Sequence, residues 1–219
     1  MGIPLLLHAC CGPCSLEPVR LLQEEGFDPT ICWVNPNIQP EEEYEHRLQT
    51  LKDWAEQIDL PILIGDCDRG LWERGCARYA DERHKRCRVC YSIRLDGACR
   101  MAVEHGFTHI ATTLAVSPYQ LLDVCNEQLE TLANKYGLIA VPRDFRENYP
   151  IATVRCVSWG CIGKTIAAAG FLHWRPQWIE QKDTVDSHIY DCSRRLRLLQ
   201  FLFLAGRLRF FLYTAHIYP

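Results

Sequence analysis

The chain has 219 residues, of which 48% are hydrophobic and 23% charged, with a formal net charge of -3. That is the composition of a globular domain with a sizeable core, and it excludes both a disordered chain and a generally basic nucleic-acid binder. No stretch reads as membrane-spanning, since "LLQFLFLAG" (198–206) is too short and is flanked by arginines. Thirteen cysteines are the anomaly. "IPLLL" is too short for a signal-peptide core and no cleavage site follows it, so the expected setting is cytoplasmic, with no membrane partner. Thiols there serve metal or redox chemistry more than a disulfide framework.

Ile3–His8 is a short apolar run suited to a buried strand, stopped by the "CCGP" turn. Ser15 is the expected N-cap of an amphipathic helix through Glu25. "DPTICWV" (28–34) reads as a second strand, ending in the turn-rich "NPNIQP". A helix is expected from Glu41 to about Ile58, because Tyr44, Leu48, Leu51 and Trp54 fall on one face. "LPILIG" (60–65) is a third strand, and a helix from Cys90 to about His105 leads to a fourth within "GFTHIATT" (106–113). Tyr119 to Tyr136 reads as a further helix and "GLIAV" (137–141) as a fifth strand. Such alternation predicts an α/β fold, a mainly parallel sheet flanked by helices, with its site at the carboxyl ends of the strands. After about Tyr149 arginines and aromatics mix at no helical or strand period.

Two cysteine groups carry the chemistry. One is Cys10, Cys11 and Cys14 in "HACCGPCS", and the other is Cys87-x-x-Cys90 in "RCRVCY". Short-spaced pairs from distant parts of a chain commonly assemble a four-thiolate site, which suits zinc or a [4Fe–4S] cluster. The vicinal pair favours the cluster, because side chains that diverge from an extended backbone reach a wide object more easily than one small ion. Both groups are expected where a helix begins, so that orphan N–H groups stabilise the thiolates.

The remaining cysteines are read more plainly. Cys32, Cys76, Cys99 and Cys125 are expected to be small buried hydrophobes, and His8 a satisfied strand-end histidine. Cys67, between Asp66 and Asp68, is either metal-adjacent or part of a loop. Arg83, His84, Lys85, Arg86 and Arg88 read as a solvated loop that, beside a cysteine site, steers an anionic or RNA substrate. A structural zinc-binding protein with an RNA-contacting basic loop is therefore the alternative reading.

Taken together, "HACCGPC", "VNPNIQPEEEYEHRL" (34–48), "RCRVCYSIRL" (86–95), "TTLAVSP" (112–118) and "LANKYG" (132–137) resemble the QueH-type epoxyqueuosine reductases, in family order over about residues 4–145. The resemblance implies a HUP-like α/β domain over residues 1–148 and a [4Fe–4S] cluster held by Cys10, Cys11, Cys87 and Cys90. It also implies reduction of epoxyqueuosine to queuosine in tRNA, the last step of making that base, with an electron donor as second partner. An additional single metal ion beside the cluster is a candidate acceptor for the departing oxygen, and Asp66, Cys67 or Cys14 are its speculative ligands. Cys14 falls at a position that is not always cysteine in the family. Tyr44, Arg47, Tyr91 and Arg94 are candidate substrate-pocket residues, although each also suits helix packing.

Family members normally continue into a Tyr-Cys-Gly-Cys segment whose cysteines form a redox-active pair; here "VSWGCIGKTIAAAGF" (157–171) stands instead, so no catalytic pair is assigned. Read one base early, the codons for Thr165 to Ala169 allow Tyr-Cys-Gly-Cys, and those from Val157 to Thr165 allow Glu-Leu-Gly-Leu-Tyr-Arg-Gln-Asn. The expectation is a frameshift between about Tyr149 and Val157, leaving 149–219 a divergent, out-of-frame and poorly ordered tail in which Cys156, Cys161 and Cys192 are chance products. Sequencing the encoding DNA tests this: codons unable to spell Tyr-Cys-Gly-Cys in the shifted frame would refute it.

Overall fold

The central strand, β1 (Ile3–His8), is apolar on both faces because both faces are covered. Leu5 and Leu7 enter one buried cluster, with residues of the helices α1 (Gly12–Glu24) and α2 (Glu41–Gln57). Leu6 enters the other, with residues of α4 (Arg83–Glu104) and α5 (Leu122–Lys135). Side chains two apart share a face of a strand, so one continuous apolar run serves two helical layers.

The computed structural model describes residues 2–158. Its five strands are β1, β2 (Phe27–Trp33), β3 (Ile62–Ile64), β4 (His109–Thr112) and β5 (Ile139–Ala140), all paired in parallel in the order β3-β2-β1-β4-β5. A short α3 (Arg69–Ala77) packs on α4, and α6 (Tyr149–Ser158) packs on α1. The expected α/β architecture, a parallel sheet flanked by helices, is what these residues form. No helix among them is long and apolar enough to cross a membrane. Of the poorly ordered tail expected from residue 149, the first ten residues instead form α6, and the rest, with Cys161 and Cys192, lies outside the described residues.

Several assignments differ from expectation, three of them near the cysteines. The helix α1 begins at Gly12, so Cys11 is its N-cap, and the Ser15 hydroxyl instead donates to the Cys11 carbonyl at 2.8 Å. A prolyl residue in the first turn, Pro13, needs no helical N–H donor there and so permits the early start. The helix α3 was not expected; its N-cap is Asp68, whose side chain accepts from the Leu71 amide at 2.7 Å. Most consequential is α4, which starts at Arg83 and not at Cys90. Cys87 and Cys90 therefore lie in its second turn and beyond, so its orphan amides are not what stabilises them. The basic run is the helix's first turns, not a loop.

Close approach of α4 to the sheet requires Gly97, where an added Cβ would lie 2.8 Å from Val34 Cγ1. Val34 is β-branched and cannot swing away cheaply. Gly97→Ala is expected to cost about 1–3 kcal/mol by overpacking. Urea denaturation checks it, and Val34→Ala in the same background should recover part of the loss.

Candidate metal centre

Strand order reverses beside β1: the chain steps outward to β2 and β3, then returns to the other side of β1 for β4 and β5. In such sheets the crevice beyond the carboxyl ends at the reversal is where ligands bind. The residues found there are His8 to Cys11 after β1 and Thr112 and Thr113 at the end of β4. The Cys10 amide donates to Thr113 Oγ1 at 3.1 Å, and the Thr113 hydroxyl donates to Cys10 Sγ at 3.5 Å. The β4 end thus fixes both the backbone and the sulfur of Cys10.

Cys10, Cys11 and Cys14 bring their sulfurs within 4.8 Å of one another, the one such group of possible metal ligands among the described residues. The Cys10 and Cys11 sulfurs are 3.9 Å apart. Cys14 joins them because Cys11 is the N-cap of α1, which places Cys14 one turn on and on the same face. Hydrogen bonding with Cys10 and Cys14, together with burial, pushes the Cys11 thiol well above its ordinary range. Crowded thiols without a cation hold their protons; a bound metal would reverse that preference.

His8 is fully buried and its ring is fully used. Val34 carbonyl lies 3.1 Å from Nε2 and Thr112 Oγ1 2.9 Å from Nδ1. A carbonyl only accepts, so Nε2 carries the proton and Nδ1 accepts from the Thr112 hydroxyl. That hydroxyl oxygen also accepts from the Leu114 amide at 3.2 Å. Burial and the nearby Arg94 charge hold the imidazole neutral, lowering its pKa to about 3. His8 is the satisfied strand-end histidine the sequence led one to expect.

Two guanidinium groups are buried behind this crevice. Arg47, 6% exposed, donates from Nε to Glu43 Oε1 at 2.5 Å, an ion pair one turn apart on α2. Arg94, 3% exposed, makes no ion pair among the described residues. Its Nη2 donates to Asn35 Oδ1 at 2.5 Å, and the Asn35 amide donates in turn to the Ala9 carbonyl at 2.8 Å. Arg47 Nη2 and Arg94 Nε are buried without a partner.

Cys90 lies one turn before Arg94 on α4 and is partly buried, as is Cys87. A hydrogen bond from the Cys76 thiol, with Arg94 and Trp72 adding to it, draws the Cys90 thiol down to about 6 against the cost of desolvation. Cys76 is correspondingly pushed up, first by that bond and then by burial. Burial raises Cys87, and the Cys90 charge adds to it. Cys10 and Cys87 pack against the same apolar cluster, and the buried Cys125 thiol feels the charges of both Cys90 and Cys10. The two cysteine segments thus face one region, although Cys87 and Cys90 are not within the close three-thiol group.

Cys32, Cys99 and Cys125 are buried, and burial pushes each thiol up to about 12, which makes them inert packing groups. Cys76 is buried too, with its thiol donating to the Arg86 carbonyl at 3.9 Å, and it is also linked to Cys90, a role its sequence context did not signal. Tyr44 and Tyr91 are buried: Tyr44 Oη lies 3.4 Å from Cys67 Sγ, while Tyr91 Oη donates to Gln120 and accepts from the Leu121 amide. Asp66 is exposed. Asn35, Thr113, Trp72 and Cys76 were missed as site residues. The "VNPN" turn and the "TT" pair were the available signals for the first two.

The donor set suits a soft thiophilic metal. Cys11 has an extended backbone, φ -175° and ψ 164°, from which the neighbouring Cys10 and Cys11 side chains can spread to a polynuclear centre. A buried arginine with no carboxylate partner among the described residues is a second sign that negative charge belongs in this crevice.

A family model described as epoxyqueuosine reductase QueH matches residues 5–158. The chain is 34% identical over 134 residues to the epoxyqueuosine reductase QueH of Histophilus somni, covering 60% of this chain and 55% of that one. It is 28% identical over 150 residues to that of Dehalococcoides mccartyi, covering 68% and 81%. It is 33% identical over 135 residues to that of Haemophilus influenzae, covering 60% and 55%. The chain thus matches little more than half the length of the Histophilus and Haemophilus relatives. Among solved structures, "predicted subunit of tRNA methyltransferase" from Methanocaldococcus jannaschii superposes with a TM-score of 0.50 at 11% identity, covering 71% of this chain and 74% of that one. That likeness is one of fold.

Thr112 anchors the crevice from both of its oxygen's roles. Thr112→Val should leave buried His8 Nδ1 and the Leu114 amide unpaired and cost about 1–3 kcal/mol, whereas Thr112→Ser should cost less. Chemical denaturation of the two variants is the measurement.

Proposed function

The chain belongs to the epoxyqueuosine reductase QueH family, and from that premise we propose that it serves the reduction of epoxyqueuosine to queuosine in tRNA. The observation that carries the reading is the close group of Cys10, Cys11 and Cys14 at the strand-order reversal, with Cys10 and Cys87 packed against one apolar cluster and, nearby, a buried arginine that has no carboxylate partner among the described residues. We assign Cys10, Cys11, Cys87 and Cys90 as holders of a [4Fe–4S] cluster. When bound, such a cluster supplies electrons one at a time. Removing an epoxide oxygen takes two electrons and two protons and releases water, so an electron donor must act twice per turnover.

The chain's own groups divide the remaining work. Thr113 holds Cys10 in place, and Cys76, Arg94 and Trp72 lower the proton affinity of the Cys90 thiol, which favours its binding a metal. Tyr44, Arg47, Tyr91 and Arg94 form the proposed inner wall of the substrate pocket, where the unpartnered Arg47 Nη2 is a donor for a polar group of the modified base. Cys14 is close enough to Cys11 to contribute to an additional single metal ion. The exposed basic start of α4 is the proposed contact to the tRNA backbone. Because the sequence lacks the family's Tyr-Cys-Gly-Cys pair, this chain is proposed to be a poor reductase.

One observation favours a second reading. A single tetrahedral zinc with Zn–S bonds of about 2.3 Å separates its sulfurs by about 3.8 Å, close to the 3.9 Å between Cys10 and Cys11. Anaerobic reconstitution of the full chain with iron and sulfide separates the two. The expected outcome is a broad visible absorption that is lost in Cys87→Ala, with turnover of epoxyqueuosine tRNA well below that of a full-length relative. A colourless protein holding stoichiometric zinc would overturn the cluster assignment, and normal turnover would overturn the impairment.

A further inference from the structure

The buried cation of the crevice has a job that the cluster reading leaves open. Arg94 is 3% exposed, has no carboxylate partner among the described residues, and keeps one N–H, Nε, unpaired. Arg47, by contrast, is neutralised by Glu43. A buried guanidinium is costly unless an anion answers it. Asn35 fixes where that charge sits. Fully buried, it accepts from Arg94 Nη2 at 2.5 Å and donates to the Ala9 carbonyl at 2.8 Å. Ala9 immediately precedes Cys10, and Arg94 lies one turn beyond Cys90 on α4. One side-chain amide therefore ties the segment bearing Cys10 and Cys11 to the helix bearing Cys87 and Cys90.

We propose that Arg94, held by Asn35, is the counter-charge of the thiolate-bound redox centre and raises its reduction potential. The proposal rests on the cluster reading above. Four thiolates leave the centre net negative, and each added electron makes it more so. A fixed cation in a poorly solvated site stabilises the reduced form more than the oxidised one. Arg94 acts through the centre and so is a positioning residue.

The test is the midpoint potential of the anaerobically reconstituted full chain, with iron content measured alongside. Arg94→Gln should make one-electron reduction about tenfold less favourable, a shift of about 59 mV to lower potential. Arg94→Lys, which keeps the charge, should stay near the wild-type value. Asn35→Asp, which sets a carboxylate against the guanidinium, should shift in the same direction as Arg94→Gln. If Arg94→Gln fails to fold, as judged by circular dichroism, Asn35→Asp compared with Arg94→Lys decides. Variants that lose iron while the loaded fraction keeps the wild-type potential would show a merely structural role and overturn the proposal. A wild-type chain that forms no cluster would overturn both this proposal and the reading beneath it, whereas a cluster with an unmoved potential overturns this one alone.

Discussion

Everything at the candidate centre depends on two hydrogen bonds made by one side chain. Asn35 spends its amide on the Ala9 carbonyl and its oxygen on Arg94. No water reaches it, so each bond replaces a large desolvation penalty and not merely a solvated alternative. The pair fixes three parts of the chain that are distant in sequence: the turn after β1, the turn after β2 and the middle of α4. Asparagine is suited to the task because it offers a donor and an acceptor on one short, uncharged group. Aspartate in its place would neutralise Arg94 and have no donor for Ala9.

The topology explains why the cysteines arrive where they do. The central strand of a parallel sheet ends at the carboxyl edge, where the neighbouring strand order reverses and leaves a crevice. The residues directly after β1 enter that crevice, and Cys11 then caps α1, whose first amides point toward it. Cys87 and Cys90 reach the same region by another route, from within a long helix laid across the sheet with Gly97 against Val34. The two pairs therefore have different electrostatic support. Cys11 has a helix terminus, whereas Cys90 has side-chain donors and no helix end.

Legibility in the sequence followed the range of the interactions involved. The strands were readable because a parallel strand buried on both sides is a short apolar run, and Ile3–His8 is one. The cysteine groups were readable because ligand spacing is local. The start of α4 was not, since "RHKRCR" has no capping signal and Glu82, its N-cap, makes no side-chain cap bond. The helix is held there by packing of α3 on α4, a tertiary term that local propensity does not contain. The link from Cys76 to Cys90 is likewise a consequence of α3 and α4 meeting, and the burial of Arg94 one of α4 meeting the turn after β2. A cysteine inside "ERGCAR" carries no mark of its partner.

The positive charges also sort themselves by what they cost. At the start of α4, Arg88 forms a two-pronged pair with Glu127 at 2.6 and 2.7 Å, Lys85 pairs with Glu82, and Arg83 donates to the Tyr119 carbonyl at 2.9 Å. These groups are exposed, and such pairs are weak and screened by solvent and salt, so they exchange readily for other ions. Arg94 is in the opposite regime. Its charge is withdrawn from water, its strong hydrogen-bond partner Asn35 is neutral, and the thiol of Cys90, able to become anionic, feels its charge. A buried guanidinium is best tolerated where some state of the protein supplies negative charge, and in the proposed reading that state is the one in which the thiols have released their protons to solvent and bind a metal as thiolates.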